Sequence, residues 1–173
     1  DPHQNEYISD EWKTREFYSG FTGSAGTLAV TANEAGLWTD SRYFIQAADQ
    51  LKGSGITLFK MGLPETTDMD DWIIQKCKSA PVDTPVIGLP AETASAAYMK
   101  KIKSSASSQG ISVKAVPGIA KTEDVSDQQD KPLFIHSESH AGESPKEKLE
   151  RLRKSMKEDG AAGMLVSAND EVA

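Results

Sequence analysis

Thr27-Leu28-Ala29-Val30-Thr31 and Gly36-Leu37-Trp38 are two β-prone runs separated by Ala32-Asn33-Glu34-Ala35, and their reading decides the fold. Such a pair predicts a β-hairpin. Directly after it, Ser41 is placed to accept a hydrogen bond from the first turn of a helix. That helix is expected to reach about residue 51, with Phe44, Ile45, Ala48 and Leu51 at helical spacing. Gly53 and Gly55 stop it, and residues 56–61 read as a third strand.

Upstream, residues 11–18 read as a short helix that turns Trp12, Phe17 and Tyr18 towards a core. Gly20, Gly23 and Gly26 break it and suit tight turns leading into the hairpin. Downstream, Thr67 or Asp68 caps a helix carrying Trp72, Ile73 and Cys77, and residues 86–89 form a short buried strand. A longer helix is expected after Pro90, with Ala94, Ala97, Tyr98 and Ile102 as its apolar stripe and Gly110 at its end. Residues 111–116 make a further strand. Strands alternating with helices, plus one hairpin, predict an α/β fold: a mixed β-sheet flanked by helices on both faces.

From about residue 120 to 143 Asp, Gln, Ser and Lys dominate, which reads as a linker with Leu133-Phe134-Ile135 tacked against a surface. Ser144-Pro145-Lys146-Glu147 then announces a helix through a capping box with proline in the first turn. Leu149, Leu152 and Met156 share one of its faces, Gly160 ends it, and residues 163–167 read as a strand. One helix and one strand cannot bury a core alone. The expected organisation is therefore a domain over 1–119, a linker over 120–143, and the opening of a second domain over 144–173.

Nineteen Lys and Arg against 26 Asp and Glu give a formal charge of -7, which repels phosphate backbones and argues against nucleic-acid binding. No apolar run approaches the ~18 residues of a membrane-spanning helix, and no signal-like segment opens the chain, so no membrane partner is expected. A start at Asp1 without methionine suggests that residues precede it. Cys77 is the single cysteine, so it makes no internal disulfide or cysteine metal site; it fits a reducing compartment and reads as a packed helical residue.

The glycine cluster from Gly20 to Thr27 lacks the lysine of a phosphate-binding loop and the spacing of a dinucleotide fingerprint. His136 and His140 stand four apart, but no third ligand is in view and a solvated linker suits them better than a metal. Asp68, Asp70 and Asp71 fall in a first helical turn, where acids are favoured. Trp38-Thr39-Asp40-Ser41-Arg42-Tyr43-Phe44 is different, because a strand end turning into a helix is a common place for site residues in α/β folds. Arg42 offers a fork of donors for a carboxylate or peptide carbonyl, and Asp40 either orients it or caps the helix. A purely local Asp40–Arg42 pair is the competing reading.

Asp1-Pro2-His3-Gln4-Asn5-Glu6-Tyr7-Ile8, Arg15-Glu16-Phe17, Ser19 to Thr27 and Trp38 to Ala47 together resemble the amino-terminal region of Xaa-Pro aminopeptidases of the long three-domain form. Lys60-Met61-Gly62-Leu63 and Asp71-Trp72 continue the match, and the last nine residues resemble the first strand of that family's second domain. Ser41 departs from the family's usual glycine. The resemblance implies a creatinase-like domain lacking its first helix and strand. It implies a parent hydrolase, cytoplasmic and dimeric, that removes the residue preceding proline from peptides. That parent uses a paired divalent metal site, usually manganese, in a carboxy-terminal catalytic domain. No cofactor and no catalytic residue is expected in these 173 residues, and the fragment alone is expected to be inactive. By the same resemblance, Arg42, Asp40, Tyr43 and His3 are the expected substrate-binding residues, and the domain supports dimerisation and closes the substrate pocket. The alternative is a stand-alone binding or dimerisation module of the same fold without peptidase activity.

Overall fold

In a computed structural model, residue 8, residues 10–118 and residues 134–166 are described. They belong to two compact units, Asp1–Val125 and Ser126–Ala173.

The first unit opens with a 3₁₀ turn, Asp10–Trp12, and helix α1, Thr14–Ser19, closed by Gly20 in the left-handed region. Strands β1 (Thr27–Val30) and β2 (Ala35–Thr39) form the expected hairpin, with Thr27 opposite Trp38 and Val30 opposite Ala35. Thr31 and Glu34 tie its turn through reciprocal bonds, Thr31 Oγ1 accepting from the Glu34 amide at 3.1 Å. Helix α2 (Phe44–Gln50) carries the chain to β3 (Ile56–Lys60), which pairs parallel to β2. Helix α3 (Met69–Lys78) leads to β4 (Val86–Pro90), and helix α4 (Ala96–Ser107) crosses over to a parallel β5 (Ser112–Val116).

Strand β2 is central and buried on both faces, as its unbroken apolar run demands. On one face Leu37 joins Phe21, Ala47 and Leu51, with Leu28, Tyr43, Ile56 and Leu58 around them. On the other, Trp38 stacks on Phe59 at 4.1 Å and Trp72 of α3 meets Trp38 edge-on at 5.3 Å. A Cβ on Gly36 would lie 2.7 Å from both stacked rings, so only glycine leaves room for them. A second cluster, Ile87, Ala106 and Ile111 with Ile73, Ile74, Cys77, Leu89 and Val113, closes α3 and α4 over β4 and β5.

The α/β class stands, with a difference in the sheet. The described strands form two sheets, β1-β2-β3 and β4-β5, because β1 and β4 do not pair. Phe17 and Tyr18 are more than half exposed, stacked edge-on at 5.0 Å rather than sent into a core. The buried stripe of α2 is Ala47 with Leu51, four apart, while Ile45 is 89% exposed and Ala48 faces solvent. The helix after Pro90 starts six residues later, where the Ser95 hydroxyl accepts from the Tyr98 amide; a cap outweighs the proline.

The second unit has helix α5 (Glu138–Ala141) and helix α6 (Pro145–Glu158). The capping box is complete: Ser144 Oγ accepts from the Glu147 amide, and the Glu147 carboxylate accepts from the Ser144 amide at 2.9 Å. Arg151 reaches back to Glu143 at 2.6 Å, and Lys146–Glu150 and Lys154–Glu158 pair along the helix. Phe134 and Ile135 are exposed, not tacked down. Residues 163–166 are not in a strand, and Met164 and Leu165 are exposed; among the unit's described residues no other strand offers an edge.

Candidate functional site

Thr39 ends β2 fully buried, its hydroxyl donating to the Ala25 carbonyl at 2.6 Å. Asp40 is extended, and its Oδ1 accepts from the Arg42 amide at 3.1 Å, so Asp40 rather than Ser41 caps the 3₁₀ turn Ser41–Tyr43. The Arg42 side chain then folds back on the same carboxylate: Nε donates to Oδ1 at 2.9 Å and Nη2 to Oδ2 at 2.8 Å. Its guanidinium sits 5.2 Å from the centre of the Tyr43 ring. Arg42 is thus a pre-oriented, largely exposed cation at the carboxyl end of a central strand, and the local Asp40–Arg42 pair is real.

Tyr43 faces the other way. Its hydroxyl shares a 2.6 Å hydrogen bond with Ser24 Oγ, and its ring meets Phe21 edge-on. The strand end is thereby joined to the glycine loop. Three more polar side chains strengthen the joint: Gln46 and Gln50 both donate to Thr22 Oγ1, and Gln50 Oε1 accepts from the Thr22 amide. On the inner side Arg15 donates to the carbonyls of Gly23 and Gly26 while stacking over Phe21. Of the three loop glycines only Gly20 needs a left-handed backbone. Gly23 is there for space, since a Cβ would lie 2.2 Å from the Phe21 ring and 2.8 Å from Tyr43; at Gly26 it would lie 3.0 Å from the Trp38 carbonyl. Arg15, Thr22, Gln46 and Gln50 were not singled out from sequence as site residues. A lone arginine before a glycine-rich segment was the available signal.

His3 lies outside the described residues. His136 and His140 bring their rings to 5.7 Å. Among the described residues no three His, Cys, Asp or Glu side chains converge as a metal site would require. Asp70 is engaged structurally, accepting from Tyr98 at 2.8 Å and pairing with Lys101 at 2.7 Å. Burial and the Asp70 bond push the Tyr98 phenol well above its usual range, and burial raises the Cys77 thiol, away from a nucleophile's range.

The Arg42 side chain, with help from its amide, lowers the Asp40 carboxyl to about 2. A depressed carboxyl contributes above its unfolded pKa of ~3.9, and the contribution is lost as pH falls through the folded value. The lock should therefore be intact from neutral pH to about pH 3. A carboxyl-carbon NMR titration should give Asp40 a midpoint near 2, rising towards 4 in Arg42→Gln. A midpoint near 4 in the unaltered protein would show that the pair does not form.

Family models described as the creatinase/prolidase N-terminal domain match residues 7–122 and again 124–173. Aminopeptidase P1 of Arabidopsis thaliana is 36% identical over 187 residues, and a probable Xaa-Pro aminopeptidase P of Talaromyces stipitatus 36% over 178. Both alignments take in 100% of this chain and 26% of the relative, so the chain spans about a quarter of the length of these relatives. The crystal structure of an X-prolyl aminopeptidase from Caenorhabditis elegans, described as a cytosolic enzyme with a di-nuclear active site, has a TM-score of 0.70 at 29% identity; the likeness covers 92% of this chain and 26% of that one. With a family model matching most of its length and the fold in agreement, the chain belongs to the creatinase/prolidase N-terminal domain family.

Proposed function

We propose that this chain is the non-catalytic amino-terminal part of a proline-specific metallo-aminopeptidase, an enzyme that removes the residue preceding proline. Residues 1–119 form its first domain, 120–143 a linker, and 144–173 open a second domain of the same kind. The observation that carries this reading is the alignment of the whole chain with aminopeptidases P. The domain supports dimerisation and closes the substrate pocket, with the Asp40-held Arg42 directed at the peptide and Tyr43 fixing the strand end to the glycine loop. The parent is a cytoplasmic dimer, and manganese ions occupy its catalytic domain. Among the described residues no three His, Cys, Asp or Glu side chains converge, and on this reading they bind and orient.

In the full-length enzyme, Arg42→Ala should lower kcat/KM for Xaa-Pro peptides roughly ten- to hundredfold, the loss of a charge-assisted hydrogen bond worth ~1.5–3 kcal/mol. The unfolding midpoint should hardly move, because an exposed ion pair adds little stability. Unchanged kinetics would reduce Arg42 to a surface residue.

A further inference from the structure

Helix α6 is basic in an acidic chain: six of its 14 residues are Lys or Arg and three are Glu, against a formal charge of -7 overall. Its ion pairs use only part of that excess. Arg151 is held by Glu143, while Lys146 and Lys154 face Glu150 and Glu158. Arg153 and Lys157 pair with no carboxylate among the described residues, and Ser155 stands between them with Lys154 directly before it. Ser155 is exposed, and its hydroxyl has no hydrogen-bond partner among the described residues. The serines that end α4 differ, since Ser105, Ser107 and Ser108 donate to the carbonyls of Lys101, Ser104 and Ser105.

At roughly 100° per residue, Ser155 lies about 90° from the middle of the stripe formed by Leu149, Leu152 and Met156. It therefore stays on the polar flank even when that stripe is covered, one turn beyond Arg151. A kinase must bring the hydroxyl into line with the γ-phosphate of ATP, which requires the last turn of α6 to open. No residue of α6 is buried and helix ends fray, so the opening costs little. The other basic run, Lys100-Lys101-Ile102-Lys103 before Ser104 and Ser105, is on α4, where Ile102 and Ala106 are fully buried and Lys101 pairs with Asp70. That helix cannot open without breaking the core.

We propose that Ser155 is a phosphorylation site for a serine/threonine kinase that reads basic residues on both sides of its target, and that Arg151 then captures the phosphate. In the transfer Ser155 Oγ forms a bond to the γ-phosphorus of ATP. The bond from that phosphorus to the β–γ bridging oxygen breaks, ADP leaves with the electron pair, and the hydroxyl proton passes to the kinase's catalytic aspartate. Arg153, Lys154 and Lys157 supply the charge pattern that an acid-lined kinase cleft recognises. The product carries a charge of about -1.5 to -2 and three strong acceptor oxygens. These stand one turn from the Arg151 fork, which suits phosphate as well as it suits a carboxylate. Arg151 is then drawn off Glu143, loosening the tie just ahead of the Ser144 cap. The inference is independent of the peptidase reading.

The test treats the full-length polypeptide with magnesium ATP and a purified basophilic serine/threonine kinase, the phosphate being mapped by mass spectrometry. Ser155 should take up about one phosphate per chain, and Ser155→Ala none. Arg153→Ala combined with Lys157→Ala should slow the reaction roughly tenfold or more with Ser155 still in place. A kinase directed by acidic residues should leave Ser155 unmodified. Arg151 holds the Glu143 carboxyl below its usual range; a carboxyl-carbon NMR titration should show it rise on phosphorylation and stay put in treated Ser155→Ala. Phosphate on the serines of α4 instead, or an unchanged rate in the double variant, would overturn the site. So would an unmodified polypeptide, whether or not a free peptide of residues 149–161 is phosphorylated. A Glu143 midpoint that does not move on phosphorylation would overturn the capture by Arg151.

Discussion

Replacing Phe21 with alanine is expected to lower the stability of the amino-terminal unit by about 4 kcal/mol, the usual cost of deleting a fully buried aromatic ring. Phe21 has no exposed surface, stands at the centre of the cluster with Leu37, Ala47 and Leu51, and meets Tyr43 edge-on. Gly23 is kept small for its ring, and Arg15 stacks on it. The loop cannot collapse into the space without losing both carbonyl bonds to Arg15, so a cavity remains. With a urea slope of about 2 kcal/mol per molar, the midpoint should fall by roughly 2 M. A fall below half that would show that the loop repacks.

Arg15→Ala should cost about 3 kcal/mol, since two charge-assisted bonds to carbonyls are lost and the Gly23 and Gly26 oxygens are left half-buried. Arg15→Lys should recover only part of this, because one ammonium cannot replace a planar fork that reaches two carbonyls at once. The same urea experiment checks both variants. Full recovery by lysine would mean that charge alone matters. The amide signals of Gly23 and Gly26 should shift in both, which a remote destabilisation would not produce.

Elements whose signal is local were legible. The hairpin, the Ser144 capping box, and the strands around Ile56, Val86 and Val113 all follow from runs and caps that need no knowledge of distant residues. Of the expected α2 stripe Leu51 is buried, whereas Ile45 and Ala48 fit helical spacing yet are exposed. What decides burial is which face meets β2, and that selects Ala47. Phe17 and Tyr18 were assigned to a core from helical periodicity, although periodicity does not say where a neighbour lies. In the site, the Asp40–Arg42 pair could be read from adjacency, whereas the hold of Arg15 on the glycine loop spans eight to eleven residues and depends on a turn that spacing does not reveal. The glycines were read as turns when two of them are spacers.

The cap and ion pairs described for helix α6 all close within eight residues, from the Ser144 cap to the reach of Arg151 back to Glu143. Segments of this kind form in about a microsecond. The parallel pairing of β2 with β3 must wait for a crossover to close, and mixed sheets assemble on the order of a thousandfold more slowly. When the whole chain refolds from denaturant, residues 144–158 therefore take their local shape long before the sheet upstream has found its order.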